Sequence, residues 1–168
     1  MFASFRSPAS AAAEAVTPLG APKRSSPKSG TLIAVVDTGP LYAAADLDDD
    51  DHDASVAVLQ RPDLHLVIPV LVVAEATYLI GTRLGSKAEA TFLRGLGQIE
   101  VEPPTSDDWD RIADLVDKYA DLPLGGTDAS VVALAERLGA GVVVTLDRRH
   151  FTVVRARHRE ALELLPAA

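Results

Sequence analysis

The stretch Thr31–Asp51, TLIAVVDTGPLYAAADLDDDD, decides how the fold is read. Leu32 to Val36 is an unbroken apolar run, the pattern of a strand covered on both faces, as in a parallel sheet. It ends on Asp37, a carboxylate that is costly to bury unless something pairs with it. Thr38-Gly39-Pro40 breaks the strand, and Leu41 to Ala45 begins a helical pattern. Open α/β sheets bind ligands beside the carboxyl ends of their strands, so Asp37 is either a turn residue or a site residue.

Working outward, Leu64–Ile68, Ile99–Glu102, Val142–Val144 and the weaker Leu162–Leu165 read as strands, the last at an edge. Helical patterns run over His52–Gln60, Val70–Thr82, Ser86–Gly95 and from Gly125-Gly126-Thr127-Asp128 to about Leu138, where Gly139 ends the helix. Pro69 suits the first turn of its helix, and Ser86 with Glu89 makes a capping-box signature. After Ser106, the spacing Trp109, Ile112, Ala113, Val116 predicts another helix with those residues on its apolar face. Phe151–Val154 is a further weak element. Strands alternating with helices predict an α/β protein: a mainly parallel sheet with helices on both faces, a three-layer α/β/α arrangement.

The 168 residues suffice for one domain with a sizeable core. Without cysteine there is neither a disulfide framework nor thiolate chemistry, which is compatible with a reducing compartment. No apolar run is long enough to span a bilayer and residues 1–29 lack a secretory h-region, so a cytoplasmic location is expected. That segment is rich in Ala, Ser and Pro and is expected to be a disordered tail or the product of a start codon placed too early. A single folded domain is expected over residues 30–168. The net charge of −8 argues by itself against a nucleic-acid partner. Against that, Arg148, Arg149, Arg155, Arg157 and Arg159 crowd one segment, a local basic surface or a solvated helix face. The run Asp48–Asp51 lacks the glycine and terminal glutamate of a calcium loop and is expected to cap the following helix by charge.

Four acids stand in informative settings. Asp37 and Asp147 follow apolar strands, and neighbouring strands would place both on one sheet edge. Glu75 sits in VIPVLVVAEATYLIG, where burial would be expensive without a partner or a metal. Asp128 lies in a first helical turn, where the helix dipole favours an anion. Singly, each has a structural explanation: turns for Asp37 and Asp147, an arginine partner for Glu75, capping for Asp128. Together at one edge they would repel one another strongly unless a divalent cation held them. Oxygen ligands suit Mg2+ or Mn2+ and metal-assisted phosphoryl transfer. No Walker loop, catalytic triad or zinc spacing competes.

VVDTGPLYA, VVAEATYLI, DLPLGGTDASVVALAERLGAG and VVTLDRRHF resemble, in order and spacing, the motifs of PIN-domain nucleases, above all the VapC toxins of type II toxin–antitoxin pairs. The resemblance covers Leu32 to Pro166. It implies the PIN fold and identifies Asp37, Glu75, Asp128 and Asp147 as catalytic, metal-ligating acids. Thr38 and Thr145 fall at its hydroxyl positions, where they orient ligands or water or else satisfy turn backbone. Asp121 is a supporting candidate, and Arg148 and Arg149 are candidates for RNA phosphates. Where many relatives carry a further acid, this chain has His150, which puts an extra metal ligand in doubt. The resemblance implies Mg2+- or Mn2+-dependent endonucleolytic cleavage of RNA, with tRNA or the sarcin–ricin loop of ribosomal RNA as known family targets. It also implies a homodimer and a VapB-type antitoxin whose C-terminal segment enters the active-site groove. The helices over 46–60 and 70–82 are the candidate partner surfaces. The rival readings are a PIN-fold module that binds RNA or a partner without cutting, and a Mg2+-dependent phosphodiesterase acting on DNA. An aspartyl-nucleophile phosphatase would want a second acid where Gly39 stands.

Overall fold

The computed structural model describes residues 30–122 and 124–167, so the expectation for residues 1–29 lies outside the described residues. Five strands form one sheet: β1 (Leu32–Val36), β2 (Leu64–Pro69), β3 (Glu100–Glu102), β4 (Val142–Val144) and β5 (Glu163–Leu165). Their order is β3-β2-β1-β4-β5, and every pairing is parallel. The chain builds outward from β1 to β3, then crosses to the other side of β1 to lay down β4 and β5. The carboxyl ends of β1 and β4 are therefore the topological switch point, where open α/β sheets place ligands.

The helices among the described residues are α1 (Thr38–Ala45), α2 (His52–Leu59), α3 (Val70–Leu84), α4 (Ser86–Gly95), α5 (Ser106–Lys118), α6 (Gly126–Leu138) and α7 (Arg148–Val153). They flank the sheet in a three-layer arrangement, as expected. Val35, Val36, Ile68, Val143 and Val144 have no accessible surface, so the central strands are wetted on neither face. α6 is buried from Ala129 through Ala135 where it packs on β1, β2 and β4. Such a helix has no polar face except at its ends, which fits its run of Val, Ala and Leu. Gly139 stops it in a left-handed conformation at φ 64°, a geometry that glycine adopts without strain. Arg111 makes a two-pronged bond to Glu136 at 2.9 and 2.8 Å, tying α5 to α6. None of the described helices is long and apolar enough to cross a membrane.

Several local expectations change. Pro69 ends β2 and precedes α3 in an extended conformation, where its missing N–H costs no helical bond. α4 is preceded by Gly85 with no side-chain cap, and Ser86 lies inside the helix. The capping box of α5 is set one residue earlier than Ser106: Thr105 Oγ1 accepts from the Asp108 N–H, and Asp108 accepts from the Thr105 N–H. The buried stripe of α5 runs over Asp108, Ile112 and Leu115, and Trp109 is 51% exposed. Asp108 accepts burial because Arg137 lies 2.8 Å away. Asp51 holds the cap position of α2 but makes no side-chain cap bond. The aspartate run instead folds into turns, with Asp46 and Asp49 accepting from the N–H groups of Asp48 and Asp51.

Candidate active site

β1 and β4 pair with Val36 opposite Val144, so the residues that follow them meet. The Asp37 N–H donates to the Val144 carbonyl at 2.9 Å, extending the ladder one step past the strand. Asp37 then turns its side chain into two bonds: Thr38 N–H to Oδ1 at 2.7 Å, capping α1, and Thr145 Oγ1 to Oδ2 at 2.7 Å. Thr145 is fully buried, and its hydroxyl also accepts from the Asp147 N–H at 3.0 Å. One threonine thus fixes the acids of both strand ends. Gly39 makes the close approach possible, since a Cβ there would stand 3.3 Å from Leu146 Cβ.

The other acids arrive on helices. Thr38 Oγ1 donates to Glu75 Oε2 at 2.7 Å, linking α1 to α3. Glu75 is exposed, which corrects the expectation of a glutamate buried in an apolar helix. α3 buries Val72, Ala76 and Ile80 and packs Val73 partly against the core, and it leaves Val70 and Tyr78 exposed on its outer side. Asp128 accepts from the Gly125 N–H at 3.2 Å at the start of α6. Asp147 caps α7 through the Arg149 N–H at 3.0 Å, and the Arg149 guanidinium lies 3.2 Å from its Oδ2. His150 stands between two acids, its Nδ1 3.3 Å from Asp128 Oδ2 and 3.5 Å from Asp147 Oδ2.

The electrostatics follow from this placement. Burial pushes the Asp37 carboxyl up to about 6 from its ordinary 3.8. The hydroxyl of Thr145 and the N–H of Thr38 oppose that rise, while Asp128 and Glu75 reinforce it. Asp128 is also raised, first by burial, against the Gly125 N–H and His150, with Glu75 and Asp147 adding repulsion. At Asp147 partial burial works against the charge, but the Arg149 bond and His150 outweigh it and hold the carboxyl below its ordinary range. The four acids therefore feel one another across one sheet edge. Each nonetheless leans on its own local donor, and among the described residues no three His, Asp or Glu side chains stand in ligand geometry around one point.

Asp37 tests whether this edge suits a cation. It is a buried carboxylate whose two donors are neutral, and two further carboxylates raise its pKa. That leaves uncompensated negative charge among oxygen donors, the chemistry that a hard divalent ion satisfies. The carboxylate side of the edge opens to solvent through a cleft of about 450 Å³ lined by Asp37, Gly39, Leu146, Asp147, Arg148 and Arg149.

The remaining candidates divide. Arg149 is 86% exposed at the rim of this cleft. Arg148 also lines the cleft, but its guanidinium is engaged, donating to the carbonyls of Leu164 and Pro166 at the end of β5. Asp121 is exposed in the turn after α5 and makes no bond to the four acids. The Thr38–Glu75 bond and the seat of His150 between two acids escaped the sequence reading, because residues 37 positions apart in different helices carry no spacing signal.

A family model for the PIN domain matches residues 34–156. The chain is 37% identical over 123 residues to Ribonuclease VapC26 of Mycobacterium tuberculosis, covering 72% of this chain and 91% of that protein. Among solved structures it resembles M. tuberculosis VapC20, a sarcin–ricin loop cleaving toxin. The TM-score is 0.59 at 18% identity, over 66% of this chain and 86% of that one. It also resembles VapBC2 from Rickettsia felis, solved bound to a promoter DNA fragment, with a TM-score of 0.59 at 17% identity over 79% and 97% of the two chains. These last two likenesses show the fold. The family match over most of the chain and the close relative go further: this chain belongs to the PIN-domain family.

Proposed function

We propose that the chain is a Mg2+- or Mn2+-dependent endoribonuclease and the toxin of a VapBC-type pair, cleaving structured RNA such as tRNA or ribosomal RNA. The observation that carries this is the convergence of Asp37, Glu75, Asp128 and Asp147 on the switch point of the sheet, beside an open cleft. The similarity to Ribonuclease VapC26 supports the reaction class. Asp37, Glu75 and Asp128 would hold the cation, their side chains closing on it from the positions described, and Asp147 would complete that site or support a second ion. When bound, such a cation lowers the pKa of a water and offsets charge on the phosphate. The chain's own residues prepare the edge for it. Thr145 orients Asp37 and the loop to Asp147, Thr38 orients Glu75, and the Gly125 N–H orients Asp128. Arg149 stands where a phosphate entering the cleft would meet it. No side-chain nucleophile is required, and the products carry 5′-phosphate and 3′-hydroxyl ends.

The protein partners are a VapB-type antitoxin and a second copy of the chain. An apolar groove of about 580 Å³ between α1, α2 and α4, lined by Leu41, Leu59, Leu84, Phe92, Leu96 and Ile99, suits an apolar segment of the antitoxin. The exposed Val70 and Tyr78 on α3 suit a subunit contact. Incubation of purified protein with tRNA and ribosomal RNA in Mg2+, Mn2+ or chelator tests the activity. Metal-dependent fragments with 5′-phosphates are expected. Tight RNA binding without turnover would support a binding module instead.

A further inference from the structure

The segment after α7 is neither helix nor strand from Val154 to Leu162. It buries Val154 and Ala156 and half-buries His158, whose Nε2 lies 2.7 Å from the Ala140 carbonyl. Arg155, Arg157 and Arg159, the residues between them, are all exposed. This is a strap, pinned from inside by small apolar residues and presenting arginine at every second position. It starts beside the catalytic edge and ends at the opposite edge of the sheet, where Glu163 opens β5 opposite Val142. Gly141 precedes β4 and Asp147 lies three residues past it, so the two stand at opposite ends of the strand, up to about 20 Å apart.

The backbone carries the strap independently of its arginine side chains. The Arg155 N–H donates to the Tyr119 hydroxyl at 3.1 Å, and the Arg157 N–H donates to Glu136 at 2.9 Å. The guanidinium groups are only weakly engaged. Arg155 donates to the Thr152 carbonyl, and Arg157 meets Asp114 at 3.4 Å with both side chains more than 60% exposed. Among the described residues Arg159 has no hydrogen bond or ion pair. It lies flat on the backbone of Gly141, where a Cβ would stand 2.6 Å from its Cζ. Arg155 and Arg159 line one open recess of about 480 Å³ with Glu160 and Ala161. Exposed arginines that leave most of their donors unused contribute little to the stability of the chain itself.

We propose that this strap is a second RNA-binding surface, with Arg155, Arg157 and Arg159 gripping the phosphate backbone of the substrate at a distance from the bond that is cut. The proposal rests on the reading of the protein as an RNA-cutting enzyme. It accounts for how a chain of net charge −8 holds a polyanion: the binding charge is local, three arginines against the few acids of the same surface. The facing acids are Glu160 in the recess, Asp114 beside Arg157, and Glu136, which Arg111 already occupies.

The test uses full-length protein with Asp37→Asn to prevent cutting, fluorescein-labelled bulk tRNA as probe, and anisotropy titrations with chelator over a salt series. The comparison is the triple substitution Arg155→Gln, Arg157→Gln, Arg159→Gln, which leaves the pinning backbone bonds intact. Binding is expected to weaken at least about tenfold at low salt, and the log–log salt slope to fall by roughly 2, since each lost phosphate contact removes about 0.7–0.9. The triple substitution to lysine should keep the slope, because phosphate accepts a point charge. Unchanged affinity and slope in the glutamine triple overturns the proposal. So does strap-dependent binding of poly-glutamate with strap-independent binding of tRNA, which would make the strap a dock for an acidic protein. If wild-type protein binds tRNA through the strap yet cuts no RNA with either metal, the strap stands and the nuclease reading fails.

Discussion

Thr145 Oγ1 donates to Asp37 Oδ2 at 2.7 Å while accepting from the Asp147 N–H at 3.0 Å, so one buried hydroxyl joins the acids that follow β1 and β4. Thr145→Val removes the donor and leaves the Asp147 N–H without its acceptor. The expected cost is about 1–3 kcal/mol of stability, measured by chemical denaturation. Losing a bond that holds the Asp37 pKa down should also move the acid limb of the pH–rate profile upward. An unmoved limb would show that Thr145 does not set the ionisation of Asp37.

The raised pKa of Asp37 makes stability depend on pH with a definite sign. Its folded value of about 6 lies above the ordinary 3.8, so the folded state holds the proton more tightly. This contribution is fully present below about pH 4 and is lost as pH rises through about 6, up to about 3 kcal/mol. In chelator, Asp37→Asn should therefore stabilise the protein at pH 7.5 and not at pH 4. Stability curves that stay parallel across that range would contradict the burial argument.

Thr38 reaches across to Glu75 with the second hydroxyl of the site. Glu75 is exposed, so freeing it should barely alter stability, within about 0.5 kcal/mol. Its placement would be lost, and Thr38→Val should cut RNA cleavage by roughly tenfold, about 1.4 kcal/mol in the barrier. Single-turnover assays beside thermal melts separate the two effects.

Thr91 is exposed on α4 and lines the apolar groove. Thr91→Arg should leave RNA cleavage unchanged and weaken inhibition by a cognate antitoxin at least about tenfold, because a buried unpaired charge is expensive. Equal inhibition of both proteins would move the antitoxin to another surface.

The parts of the fold legible in sequence were those carried by local pattern. The apolar runs of β1 and β4 and the Gly-Gly start of α6 marked three of the four acids, because strand ends and helix starts are set within a few residues. Glu75 was singled out on the premise of burial, but α3 is apolar on a side that the single chain leaves open. Its composition records a packing surface without saying what it packs on. Trp109 shares helical spacing with Ile112, but the face of α5 that packs on α6 is the one carrying Asp108, which Arg137 of α6 holds, and only tertiary packing selects that face. Arg148 and Arg149 are adjacent, identical in type and both line the cleft, yet the first is spent on β5 carbonyls and the second stands exposed beside Asp147. Only tertiary placement separates them.

The central claim is that the four converging acids cut RNA with a divalent cation. Its most direct test is RNA cleavage by the purified protein in Mg2+, Mn2+ and chelator, beside Asp37→Asn shown to be folded. Cleavage is expected with metal and none in chelator, with a loss of at least about 10³-fold in the variant, about 4 kcal/mol in the barrier. Cleavage that persists in chelator, or in Asp37→Asn with metal, would contradict it.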